Sequence, residues 1–190
     1  MMNHLMIDIE TLGVRASAPL AAIGAVFFEP STGQLGKAFY ARVDPRSDEA
    51  AGARAEVDTA LWWLRQDTEA RAELIIEPRS SARDALNAFL NYINASQIPA
   101  GRKHLNIWCK GGNFDVGILD AAFERHGLPI PWHYWRVRDM RTLQCLAQAT
   151  GYCSPARQIL KHHTGEDAYY QAQVVAEIWQ RHSDAFIEHC

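Results

Sequence analysis

Residues 4–13 read "HLMIDIETLG", where Leu5, Met6, Ile7 and Ile9 predict a strand heading into a core. Asp8 and Glu10 interrupt that run. At i and i+2 in a strand they share one face, roughly 6–7 Å apart. Two further apolar runs, "AAIGAVFFEP" and "KAFYARVD", are joined by the turn-rich "EPSTGQLG" and predict two more strands in an antiparallel meander. The segment "DTALWWLRQDTEARAELI" predicts a helix with Asp58 as its N-cap. A second helix is predicted over "SSARDALNAFLNYINAS", with Leu86, Phe89, Leu90 and Ile93 as its apolar stripe. "HLNIWCKGG" returns as a strand ending in glycines. "FDVGILDAAFERHGL" follows as a helix that Gly127 closes, with Val116, Leu119, Ala122 and Phe123 facing inward. "RTLQCLAQATGY" and "DAYYQAQVVAEIWQRHSDAF" predict the last helices. Strands first, then helices alternating with one or two more strands, predict an α/β fold: a mixed sheet flanked by helices, one domain over residues 1–190.

A length of 190 residues suits such a core, and 48% hydrophobic with 22% charged residues is a globular composition. The formal net charge of −3 gives no broad basic field for non-specific adhesion to nucleic acid, which leaves room for a small basic site. Cys109, Cys145, Cys153 and Cys190 form no CxxC pair and no zinc spacing with histidine, which predicts reduced thiols in a cytosolic protein. The N-terminal run lacks a cationic leader and is broken by Asp8, so it does not read as a signal peptide. The longest apolar stretch, "PLAAIGAVFF", is half the ~20 residues a membrane span needs.

Buried carboxylates persist only when paired, protonated or bound to metal. Besides Asp8 and Glu10, Asp115 starts the helix after the "NIW" strand, where ligand sites of α/β sheets lie. Asp167 sits early in the last helix, after His162 and His163. Four acids around one cleft repel unless about four positive charges offset them. All-oxygen ligand sets favour Mg²⁺ or Mn²⁺. Such an ion pair holds a phosphodiester, and a nearby imidazole takes a proton from water. Each acid also has a plainer reading: an exposed edge strand for Asp8 and Glu10, first-turn helix charge for Asp115, and a capping partner of Thr164 for Asp167. Only the combination points to metal chemistry.

"IDIETLG", "NFDVGIL" and "HHTGED", in this order, resemble the three motifs of the DEDDh 3′–5′ exonucleases. The stretches "DTALWWLRQDTEARAEL" and "GLPIPWHYWRVRDMRTL" extend the resemblance over nearly the whole chain, towards the phage and prophage exonuclease VIII-like proteins grouped with a mycobacterial 3′–5′ exoribonuclease. The resemblance implies a ribonuclease H-like fold with a mixed sheet of five or more strands. It implies two Mg²⁺ or Mn²⁺ ions and release of nucleoside 5′-monophosphates from single-stranded or 3′-overhanging RNA or DNA. It also points to a homodimer. Asp8, Glu10, Asp115 and Asp167 then match the metal ligands, and His162, five residues before Asp167, matches the general base. Thr11 and Leu12 match positions that touch the terminal nucleotide, through a backbone amide near the 3′-hydroxyl and an apolar wedge. Phe114, beside the second-motif acid, joins them as a substrate contact. Where relatives carry Asn before the second-motif acid, this chain has Lys110 after Cys109, which makes Lys110 a candidate phosphate contact.

Trp62 and Trp63 point about 100° apart on a helix, so one belongs to the core and the other is placed to stack on a base. Trp63 is taken as the substrate contact. Asp139 reads as an N-cap, and Arg136, Arg138 and Arg141 read as a solvated face. Two other functions share the fold: a catalytically silent nucleic-acid-binding module, and a phosphodiesterase for very short oligonucleotides. All five motif positions are filled, which counts against the silent module.

Overall fold

The computed structural model of the chain describes residues 2–96, 102–155 and 164–183. Five strands form one mixed sheet: β1 (His4–Thr11), β2 (Leu20–Glu29), β3 (Gln34–Arg42), β4 (Asn106–Cys109) and β5 (Val137–Asp139). Their order across the sheet is β3-β2-β1-β4-β5. The first three strands pair antiparallel as the predicted meander, while β4 runs parallel to β1 and β5 parallel to β4. This is the α/β mixed sheet that the pattern predicts, with the five strands that the family resemblance implies.

Alternation along β1 divides the molecule. Leu5, Ile7 and Ile9 join one core cluster with Leu86 and Phe89 of α4 (Ala82–Ala95) and Leu119 and Phe123 of α5 (Asp115–Arg125). Met6 faces the other way, into a second cluster with Trp108, Met140 and residues of α7 (Thr164–Arg181) such as Val174 and Val175. Asp8 and Glu10 continue the Met6 face and therefore meet α7 at the C-terminal end of β1. β2 is buried over Leu20–Phe28 because both clusters cover it, which explains its unbroken apolar run.

The long helix predicted from Asp58 is instead two, α2 (Val57–Leu64) and α3 (Thr68–Glu73). Asp67 makes the break: its carboxylate accepts the Ala70 amide at 2.8 Å and starts a new helix. The first of the two starts after Glu56 rather than at Asp58. Glu56 is extended, and its carboxylate lies 3.3 Å from both the Val14 and Arg15 amides. Two short elements carry no periodic signal: α1 (Pro45–Ala50), capped by Asp44, and β5. Asp139 is the expected N-cap, accepting the Thr142 amide ahead of α6 (Met140–Gln148). Its other oxygen accepts the Gly112 amide at 3.0 Å, tying the edge of the sheet to the turn that follows β4. In that turn Gly111 has φ +128°, a conformation that side-chain-bearing residues rarely adopt.

Candidate active site

A cavity of about 610 Å³ opens at the C-terminal end of β1, within the range of small-molecule sites. The start of α5 and one face of α7 wall it, and Asp8, Glu10, Asp115 and Asp167 all line it. One carboxylate oxygen each from Asp8, Glu10 and Asp167 lies within 4.8 Å of the other two. Asp115 is buried, at 3% exposure, and its Oδ1 accepts the Ile9 amide at 3.3 Å, so the second acid is fixed against the strand that bears the first pair. Burial pushes the Asp115 carboxyl up to about 7, and the Asp139 charge acts in the same direction. The Ile9 amide, its own amide and Arg141 act against that rise. Burial likewise drives the neighbouring Cys109 thiol upward, which makes it an inert thiol rather than a thiolate nucleophile.

Gln171 was not legible as a site residue. It lies one helical turn beyond Asp167 on the same face of α7, and its Nε2 donates to Asp8 Oδ1 at 2.7 Å. Its Oε1 is buried without a partner among the described residues. The i+4 spacing from a candidate ligand was the available signal. Arg141, read as solvated from sequence, lines the cavity and makes no hydrogen bond or ion pair among the described residues.

Other expected contacts fall unevenly. Thr11, Lys110 and Phe114 line the cavity. Thr11 Oγ1 donates to the Gly13 carbonyl at 2.6 Å, and the Thr11 carbonyl accepts the Trp63 indole N–H at 2.9 Å. Trp63, taken as the substrate contact, also lines the cavity while packing as the buried member of the pair at 2% exposure. The exposed ring at the cavity is Trp62, at 42%. The Trp63 indole is packed onto the end of β1, and both rings face the cavity wall. Leu12 is half-buried and is not among the residues lining this cavity. Its amide donates to the Pro19 carbonyl at 3.1 Å and its carbonyl accepts the Glu56 amide at 2.7 Å, while Val14, 65% exposed, lies on the cavity rim. His162 and His163 lie outside the described residues.

The nuclease domain of 3′hExo, a DEDDh family member in a structure bound to rAMP, matches with a TM-score of 0.61 at 12% identity, over 95% of this chain and 93% of that one. E. coli exonuclease I in complex with a dT13 oligonucleotide matches with a TM-score of 0.63 at 17% identity, over 98% of this chain. This chain spans only 43% of that enzyme. The cell-death related nuclease CRN-4 matches with a TM-score of 0.60 at 10% identity, over 96% of this chain and 64% of that one. At these identities the likeness establishes the fold. A search of the curated proteins by sequence finds no match. The family description "3'-5' exoribonuclease Rv2179c-like domain" matches residues 3–179, which contain all four carboxylates and the histidine pair. With that match over most of its length, the chain belongs to the Rv2179c-like 3′–5′ exoribonuclease domain family and is a 3′–5′ exonuclease.

Proposed function

We propose that the chain uses two Mg²⁺ or Mn²⁺ ions to release nucleoside 5′-monophosphates, one at a time, from the 3′ end of single-stranded or 3′-overhanging nucleic acid. The approach of Asp8, Glu10 and Asp167 to within 4.8 Å, beside the buried Asp115, carries this reading. Like charges so close need cations, and an all-oxygen donor set suits hard ones. When bound, the ions activate a water and stabilise the leaving oxygen. Gln171 holds Asp8 in orientation, and Asp115 is held by the Ile9 amide. His162, two residues before the start of α7, takes the proton from the attacking water and must be neutral to do so. Trp62 offers its exposed ring to a base, with Phe114 and Val14 beside it on the wall, and Lys110 and Arg141 face the phosphates. Thr11 stands beside the 3′-hydroxyl.

The exoribonuclease description of the family supports RNA over DNA. The single-stranded ligand of exonuclease I supports an open strand end. Membership of the phage and prophage branch, a homodimeric assembly and a single domain over residues 1–190 belong to the same proposal. Digestion of 5′-labelled RNA and DNA strands tests it. A descending ladder that stops when the 3′ end is blocked is expected. Cutting of a circular single strand, or internal fragments as first products, would overturn it. A rate confined to the shortest strands would favour the short-oligonucleotide phosphodiesterase.

A further inference from the structure

At the end of the sheet opposite the carboxylates, β4 begins at Asn106 and β5 at Val137, and both starts are rich in donors. Arg136 Nη1 and Arg138 Nη2 converge on a single acceptor, Asn106 Oδ1, at 3.4 and 3.2 Å. Asn106 is 7% exposed. Arg138 also donates to the Trp135 and Val137 carbonyls, but among the described residues neither guanidinium pairs with a carboxylate. Arg136 Nε is buried without an acceptor among the described residues.

His4 closes the cluster from β1. Its Nδ1 accepts the Trp108 indole N–H at 2.8 Å, so the neutral ring carries its proton on Nε2, 3.3 Å from Asn106 Nδ2. Burial lowers His4 to about 4, which keeps the ring neutral near pH 7. Two donors therefore face each other. Turning the Asn106 amide over would satisfy His4 and strip both arginines of their acceptor. Either way the cluster is one acceptor short, and buried donors without acceptors are rare in folded proteins. The nearby carboxylate is Glu29, which acts on His4 from the end of β2 and accepts from Ser31 Oγ at 2.9 Å.

We infer that Arg136, Arg138 and Asn106 bind a phosphodiester group, and that it belongs to the substrate strand several nucleotides away from the 3′ end held at the carboxylates. This rests on the proposed function. Two guanidinium forks suit an oxyanion. The neighbouring surface suits bases: Trp135, 55% exposed, stacks on His133 with centroids 4.4 Å apart, and Tyr134, 83% exposed, meets Trp135 edge-on at 4.9 Å. β5 leads from this cluster to Asp139, which binds the Gly112 amide, and on to Arg141 in the cavity wall. His4, paired with Asn106, lies four residues before Asp8 along β1, which sets the two sites roughly 13 Å apart.

The test compares the full chain with Arg136→Gln, Arg138→Gln and the double variant, on strands of about three and about ten nucleotides, the latter within the usual span of single-strand sites. The expected loss is confined to the longer strand: roughly tenfold in kcat/KM, carried by KM. Binding of the longer strand to Asp115→Asn protein should show a salt slope shallower by about 0.7, the share of one phosphate, when both arginines are replaced. Should Arg136→Gln melt early, Trp135→Ala reports the same length dependence from an exposed position. Equal losses on both lengths, or an unchanged salt slope, would overturn the inference. So would stabilisation of wild type by inorganic phosphate that the double variant loses while strand binding is unaffected, since the site would then serve a free anion. If wild type degrades no strand yet binding still falls in the variants, the hydrolytic reading fails and the phosphate site stands.

Discussion

Gln171→Leu separates positioning from folding. The replacement is close in size and removes one hydrogen bond, the 2.7 Å donation from Nε2 to Asp8 Oδ1. A hydrogen bond to a charged group is worth about 1.5–3 kcal/mol. The same change also removes Oε1, a buried acceptor with no partner among the described residues, whose burial costs about 1–3 kcal/mol. The two effects oppose each other, so stability should stay within about 1 kcal/mol. For a chain of 190 residues that is a melting shift of about 2–4 °C. Activity should not be spared. Asp8, released from its donor, can turn away from Glu10 and Asp167, and loss of such an orienting partner lowers metal affinity or turnover about 10–100-fold. Melting without metal and hydrolysis across a Mg²⁺ series would be read on the same preparation. A variant that hydrolyses within twofold of wild type at limiting Mg²⁺ would refute the positioning role. One that melts more than about 8 °C lower would show that the bond holds the fold instead.

Three other outcomes are expected. His162→Ala should lower turnover by ~10²–10⁴ while His163→Ala is mild, and a reversed order in single-turnover rates would reassign the base. Asp167→Asn removes two repulsions at up to 4.8 Å, each about 3 kcal/mol at an effective dielectric of 20 and less where water screens them. The metal-free variant should therefore melt several degrees higher and lose the stabilisation that saturating Mg²⁺ gives wild type; a lower melting point would count against a repulsive cluster. His4, lowered by burial from 6.5 to about 4, leaves the unfolded chain binding more protons between those values. Stability should fall as pH drops from 6.5 towards 4, by at most about 3 kcal/mol. In His4→Phe that fall should flatten, and an unchanged acid limb would mean other groups cause it.

The long elements were legible because their periodicity agrees with their burial. Alternation in β1 placed Asp8 and Glu10 on one face, and the 3.6-residue stripe of α4 matches its buried residues. The break between α2 and α3 was hidden because Asp67 reads equally well inside a helix and as its cap, and only the bond to the Ala70 amide decides. β5, three residues long, is too short to show a period and exists because β4 offers it an edge. The carboxylates could be read because four acids in family order form a pattern. Gln171 and Arg141 could not, since their roles come from packing between α7, α6 and β1 rather than from local sequence. Which of Trp62 and Trp63 is the buried ring was likewise a packing question, and the indole bond to Thr11 makes it Trp63.

On the proposed function, four carboxylates hold catalytic metal. The direct test is hydrolysis of a 3′-labelled single-stranded RNA by wild type and Asp115→Asn, followed as Mg²⁺ is added to metal-free protein, with melting recorded alongside. Wild type should be silent without the ion and release labelled mononucleotide at the earliest times once it is present, while Asp115→Asn should fold normally and stay silent throughout. Hydrolysis by wild type in excess chelator, or a normally folded Asp115→Asn that retains most Mg²⁺-dependent activity, would contradict the account.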